Sequence, residues 1–226
     1  MSDVDEVEAV PRAMQLAVRI EKAAPPTTAA VCAATALATI SLLDDARSQP
    51  GGEWHGAVSA WNGERIRKIV RRGRGSPWRR AQEPAGVTVA RDGAEVRAYV
   101  PSRVDDVPEP VSRLQIQSTP LDEADLVDQL PELDGLLIAV TPSIEMSWGK
   151  RAAQSAHAGQ WAWMRSDPEV VGRWDRRGRP IVVVHPTERL WAELTARAPV
   201  QIHDGGFTEV PAGTKTAVAW WGSAPG

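Results

Sequence analysis

Apolar residues in this chain come in two rhythms. Short unbroken runs, such as Leu136-Leu137-Ile138-Ala139-Val140 and Ile181-Val182-Val183-Val184, leave no face for water and predict strands covered on both sides. Longer stretches without a breaker, residues 27–43 and 149–164, are rich in alanine and predict helices. In chain order the first half reads as a strand at 15–20, a helix at 27–43 started by Pro25-Pro26, and a loop at 44–63. A half-buried strand at 65–70 follows, then a short helix opening at Ser76-Pro77, then strands at 86–90 and 95–100 joined by an Arg91-Asp92-Gly93 turn. The second half reads as a strand at 136–140, a helix at 149–164 and a loop at 166–178 that carries Trp174. A strand at 180–184, a capped helix from Thr187 to about Arg197, and strands at 200–203 and 216–221 complete it.

The same order therefore occurs twice: strand, helix, tryptophan-bearing loop, strand, short helix, two strands. Residues 29–34 stand against 152–157, residues 87–89 against 200–202, and Asp92-Gly93 near Asp204-Gly205. This predicts an α/β protein made of two tandem units, at 13–102 and 135–222. Residues 1–12 read as a mobile acidic tail, and 103–134 as a proline- and acid-rich linker. One short helix is expected in that linker, capped by Thr119 and started by Pro120, with Asp122 and Glu123 in its first turn.

Composition narrows the setting. A single cysteine, Cys32, excludes an intramolecular disulfide and a cysteine zinc cluster, and favours a reducing compartment. The acidic N-terminus is unlike a secretory leader, and the apolar run at 29–43 is too short for a membrane span, so a cytoplasmic protein without a membrane partner is expected. With a net charge of −3 the chain is no polycation, yet Arg65, Arg67, Lys68, Arg71, Arg72, Arg74, Arg79 and Arg80 follow one another with no acid among them. A segment of this kind suits a phosphate backbone, and it also suits a solubilising strand edge.

Candidate chemistry sits in two stretches. In the first, residues 146–158, the helix spacing puts Lys150, Gln154, His157 and Trp161 at i, i+4, i+7 and i+11, on one stripe, with the alanines on another, thin face. The second, residues 204–216, opens with Asp204-Gly205-Gly206 and turns again at Gly213-Thr214. Its glycines allow tight turns with exposed backbone N–H groups. Ser155 and His157 are two apart on a helix and point in different directions, so they do not form a nucleophile pair. His55, His157, His185 and His203 lack metal-ligand spacing, and no metal or other cofactor is expected.

Taken together, the two stretches resemble the type 2 peptidyl-tRNA hydrolases, the archaeal and eukaryotic kind. The family's first motif, roughly Met-Ser-x-Gly-Lys-x-Ala-Ala-Gln-x-x-His-Ala, is satisfied throughout residues 146–158. Its second, roughly Asp-Ala-Gly-x-Thr-Gln-Ile-x-x-Gly-Thr-x-Thr, is met at Asp204, Gly206, Thr208, Gly213, Thr214 and Thr216, with departures at Gly205, Glu209 and Val210. The resemblance covers about residues 135–221. It implies three-layer units, each around a mixed, mostly parallel four-stranded sheet flanked by helices, in a family that typically works as homodimers. On that basis the two units are expected to form an intramolecular pseudo-dimer in a monomeric chain.

The implied reaction is metal-free hydrolysis of the ester between a peptide and tRNA. Lys150, Asp204 and Thr214 are the implied catalytic residues; Gln154, Thr208, Gly213, Thr216 and His157 are the implied substrate-binding ones. In the first unit Thr27, Val31 and Ala34 take the places of Lys150, Gln154 and His157, and the 91–93 turn leaves no room for an equivalent of residues 213–216. That unit is therefore expected to be degenerate, lending Arg71, Arg72 and Arg74 to the tRNA backbone. A non-catalytic tRNA-binding or protein-interaction module that keeps the fold remains the alternative.

Overall fold

The apolar runs become strands and the alanine-rich stretches become helices in a computed structural model that describes residues 10–64, 66–116, 120–122 and 125–222. The first half holds β1 (Arg12–Arg19), α1 (Thr28–Asp44), α2 (His55–Asn62), β2 (Lys68–Gly73), α3 (Gly75–Arg80), β3 (Gly86–Arg91) and β4 (Ala94–Tyr99). Between the halves lie β5 (Ser102–Arg103), α4 (Glu109–Ser112) and β6 (Leu126–Val127). The second half holds β7 (Leu136–Val140), α5 (Trp148–Met164), α6 (Pro168–Arg176), β8 (Ile181–Pro186), α7 (Glu188–Arg197), β9 (Val200–His203) and β10 (Lys215–Trp221). No helix among the described residues is long and apolar enough to cross a membrane.

Two sheets result, with the same internal order. The first runs β2-β1-β4-β3, with β5 also on β1; the second runs β6-β8-β7-β10-β9. In each, the first long strand pairs parallel with the second and antiparallel with the last, which pairs antiparallel with the third. The sheets are mixed and flanked by helices as expected, and in each only one of the four long strands, β4 or β10, runs against the other three. A two-residue strand, β5 or β6, brings each sheet to five. The first two long strands of each sheet are joined by helical crossovers and pair parallel, whereas the hairpin-like neighbours β3–β4 and β9–β10 pair antiparallel.

The equivalence extends to single hydrogen bonds. Trp61 Nε1 donates to Arg67 O at 3.0 Å, and the same carbonyl accepts from Met14 N at 3.0 Å. Trp174 Nε1 donates to Pro180 O at 2.8 Å, and that carbonyl accepts from Leu136 N at 2.9 Å. The helices that bring these tryptophans, α2 and α6, fall where loops are expected from the sequence. Both are short and bury few side chains, Val58 and Trp61 in α2 and Trp174 in α6, so few apolar positions mark them. The Asp167 cap on Glu169 N, with Pro168 in the first turn, is the local signal that starts α6.

Alternation along the strands separates two faces. Leu136, Ile138 and Val140 point inward to a core shared by both halves, while Leu137 and Ala139 point outward to α7, against Leu190, Trp191 and Leu194. The outer face of the first sheet is covered by Trp78 of α3 together with Val111 and Leu114. In the centre α1 packs on α5, and the contact is reciprocal: α1 also reaches β8 of the second sheet and α5 reaches β2 of the first. Self-complementary contact of this kind is how a two-fold dimer packs. Small residues permit the close approach. A Cβ added at Gly159 would lie 3.1 Å from Ala36 Cβ, and fully buried Ser155 faces Cys32, whose thiol burial pushes up to about 12.

The connecting segment is packed along much of its length. Leu121 joins the shared core, Leu130 and Leu133 pack beneath α7, and Asp122 O accepts from Thr28 N at 3.1 Å. Its helix is α4. The residues described from Pro120 onward are not helical and lead into β6, which lengthens the second sheet. The expected Thr119 cap and most of the acidic tail lie outside the described residues, as does Arg65.

Both central helices have 17 residues and follow a hydroxyl N-cap, Thr27 for α1 and Ser147 for α5. Superposing the caps places Ala30, Ala34 and Leu37 opposite Lys150, Gln154 and His157. The correspondence expected from sequence is thus out by three residues, because alanine-rich helices align at several offsets while a cap has one. In the register set by the caps all three positions in α1 are apolar.

Candidate active site

Helix α5 begins where it does because Ser147 Oγ accepts from Lys150 N at 3.1 Å. The cap is itself held from the second motif: Glu209 accepts from Ser147 N and Ser147 Oγ, both at 2.7 Å. One carboxylate receives two donors and adds negative charge at a helix N-terminus, where it is favoured. The departure at Glu209 therefore has a structural use.

One turn into the helix, Lys150 Nζ lies 2.5 Å from Asp204 Oδ2 and donates to Thr208 Oγ1 at 3.0 Å. The same Oδ2 accepts from Gln154 Nε2 at 2.8 Å, and Oδ1 accepts from Gly206 N at 2.8 Å. Gln154 Oε1 in turn accepts from Thr216 Oγ1 at 2.5 Å. With side-chain exposures of 10% and 5%, Lys150 and Asp204 are a nearly buried ion pair, strongly coupled and costly to break. Gly206 closes the turn at φ +78°, and a Cβ there would sit 2.7 Å from Ala212 N. The far end of the loop is pinned through the backbone: Asp204 N donates to Thr214 O and Gly213 N to Asp204 O, each at 2.8 Å.

These residues border a cleft of about 1120 Å³ between the two halves. One wall is the α5 stripe, where Lys150, Gln154, His157 and Trp161 are joined by Arg165. The opposite wall comes from the first half and includes Ile66, Arg67, Lys68 and Val70. Arg67 lies 4.6 Å from the centre of the exposed Phe207 ring, and Arg165 lies 4.4 Å from that of Trp161. Deeper in, Lys68 Nζ lies 3.0 Å from His157 Nδ1 and 2.5 Å from Gln160 Oε1, while Gln160 Nε2 donates to Asn62 Oδ1 at 3.1 Å. Burial holds the Lys68 ammonium well below the usual lysine range. Burial, then the Lys68 and Lys150 charges, holds His157 well below the usual histidine range.

The structure brings Lys150, Gln154, His157, Asp204 and Thr208 to one cleft wall and separates other expected members. Thr216 is fully buried and meets Asp204 through Gln154; Gly213 and Thr214 act on it through the main chain. Arg71 does not face a ligand surface. It is 8% exposed, and its guanidinium donates to Gln15 Oε1, Ser112 O and Leu114 O. Arg72 is half-buried with its backbone N–H on Gln115 O, Arg74 is exposed ahead of α3, and neither lines the cleft. Strand alternation explains this: an unbroken basic run is divided between two faces. Among the described residues the cations of that run which do line the cleft are Arg67 and Lys68, and with Gln160 and Phe207 they are not singled out by the sequence. Their only local signal was the cation run itself. Among the described residues no group of three or more His, Cys, Asp and Glu side chains is placed to hold a metal ion.

Residues 135–221 match the family model described as peptidyl-tRNA hydrolase PTH2. The chain is also similar to peptidyl-tRNA hydrolase 2, mitochondrial, of Bos taurus, 34% identical over 101 residues, which are 40% of this chain and 55% of that protein. The Homo sapiens protein of the same name is 33% identical over 101 residues, with the same coverage of 40% and 55%. The chain thus spans about half the length of the curated relatives it matches.

Proposed function

We propose that this chain, with its peptidyl-tRNA hydrolase PTH2 segment at residues 135–221, hydrolyses the ester joining a peptidyl or N-blocked aminoacyl group to the 3′ ribose of tRNA. The observation that carries this reading is the Lys150 ammonium, held by Asp204 and Thr208 at the cleft wall. An ammonium has three N–H donors, and two are committed to those partners. The third serves the oxygen that turns negative when water adds to the ester carbonyl, and a fixed charge there costs no reorganisation during the reaction.

Asp204 has a second task. Three of its roughly four acceptor positions are filled by Lys150, Gln154 and Gly206. The remaining one holds the attacking water and takes its proton. Gln154 and Thr216 keep the carboxylate from rotating away, and the reaction runs on protein groups without a metal ion. Arg67 and Arg165 meet phosphates of the acceptor end, which positions the substrate without reading its sequence. The first half is a copy that kept its fold and lost the polar stripe. A monomer then carries one active site in an intramolecular pair of units.

The test is release of an N-blocked amino acid from tRNA by the purified chain. Turnover by the wild-type protein is expected. Folded protein that leaves the ester intact overturns the assignment.

A further inference from the structure

The structure assigns the first half a place in the site itself: Lys68 of β2 is a positioning residue that donates to His157 Nδ1 and so presents the opposite ring nitrogen, Nε2–H, as the imidazole's donor for a ligand. Gln160 fixes the direction of the bond. Its Nε2 is committed to Asn62 Oδ1, so Oε1 faces Lys68 and accepts from Nζ, and a lysine ammonium has three N–H donors and no lone pair, so its contact with Nδ1 is also a donation. The ammonium also lies 5.1 Å from the centre of the Trp61 ring, which suits a cation held out of water. An imidazole whose Nδ1 accepts carries its proton on Nε2.

The comparison between halves adds an independent argument. Strand registers pair Met14 with Lys68 and Leu136 with Ile181, so Ile181 is the counterpart of Lys68, as Leu37 is of His157. Leu37 and Ile181 are both buried in the shared core. At the contact of α1 with the opposite sheet both members are apolar, and at the contact of α5 both are polar. A lysine that merely filled space would not require a histidine opposite it. The polar pair occurs on the side where the ion pair of Lys150 and Asp204 lies.

This inference rests on the ester-hydrolase reading for its kinetic consequences and stands apart from it in its spectroscopic ones. In the ¹⁵N-labelled full chain, long-range ¹H–¹⁵N spectra are expected to show His157 with a bare Nδ1 and a protonated Nε2. Wild-type protein carrying the proton on Nδ1 overturns the proposal before any variant is made. In Lys68→Met the ring signals are expected to move toward a mixture of tautomers, with kcat falling by tenfold or more, on the order of what removing a group that orients a histidine costs. Lys68→Arg is expected to restore part of both. His157→Gln combined with Lys68→Met should be no worse than His157→Gln alone, since the lysine acts through the ring. Unchanged ring signals in Lys68→Met, or additive losses in the double variant, overturn the assignment even if wild-type turnover is normal. Absent turnover with the expected ring signals overturns the hydrolase reading and leaves the positioning role in place.

Discussion

Helices α1 and α5 both run for 17 residues from a hydroxyl cap and lie against each other at the centre of the molecule. They meet equivalent strands of their own sheets, and each reaches one strand of the other. Where α5 carries Lys150, Gln154 and His157, α1 carries Ala30, Ala34 and Leu37. The fold accommodates either set, so the polar stripe is not a structural requirement. The shared requirement is smallness at the crossing, met by alanines on one side and by Gly159 on the other. The cap region differs too: Ser147 is tied to Glu209, whereas the Thr27 side chain accepts from Ala30 N within its own first turn. One helix start is anchored to a loop that holds an ion pair, and the other to the connecting segment, where Thr28 N donates to Asp122 O.

The sharpest break of this comparison is Lys150→Ala, which makes α5 match α1 at the decisive position. Loss of a fixed charge at a developing oxyanion is expected to lower kcat/KM by about 10²–10³-fold with the fold retained. Undiminished cleavage of N-blocked aminoacyl-tRNA would remove Lys150 from the mechanism. Next in size, Gly159→Val forces side-chain atoms into Ala36 across the seam. A loss of about 1–3 kcal/mol is expected by urea unfolding, still in a single transition because the core is common to both halves. Two separate transitions would show that the halves do not share one cooperative core.

The caps provide a paired test. Thr27→Ala and Ser147→Ala should each cost about 1 kcal/mol in stability. Only Ser147→Ala should also reduce turnover, since it frees Glu209 and loosens the first turn that carries Lys150; equal effects on turnover would deny the link between cap and site.

Acid provides a smaller test. The folded chain keeps His157 neutral at pH values where the unfolded chain, with an ordinary histidine near 6.5, binds a proton. Stability tied to this group is therefore complete above about pH 6.5 and falls as pH is lowered toward the depressed folded value. His157→Gln should remove that part of the slope in chemical denaturation series, and an unaltered slope would mean the ring titrates normally. Smallest of all, Arg67→Ala should reduce the salt dependence of tRNA binding by about one unit of slope, and Arg71→Met should leave it unchanged while lowering stability. Equal slopes for the two variants would contradict the division of the basic run between two faces.

Much of this molecule is legible in one dimension. The runs at 136–140 and 200–203 coincide with β7 and β9, and both central helices begin within a residue or two of where alanine content and breakers place them. The stripe of Lys150, Gln154 and His157 follows from helical spacing, and its link to Asp204 follows from two motifs in order. These features are local: periodicity, a cap, a glycine turn. Helices α2 and α6 escaped because each is only about two turns long and buries one or two side chains, too few to be distinguished from a loop.

What only the tertiary structure decided is who faces whom. Nothing local distinguishes Lys68 from Arg71. Strand alternation and the position of α5 turn one toward His157, 89 residues along the chain, and bury the other under Ser112 and Leu114. A cation's role depends on the polar groups within hydrogen-bond reach after folding, and residue order alone does not specify that distance. The sequence by itself determined that one helix of a matched pair carries a polar stripe and the other does not. Packing the two helices against each other's sheets determined that the other half supplies part of the cleft that the stripe lines.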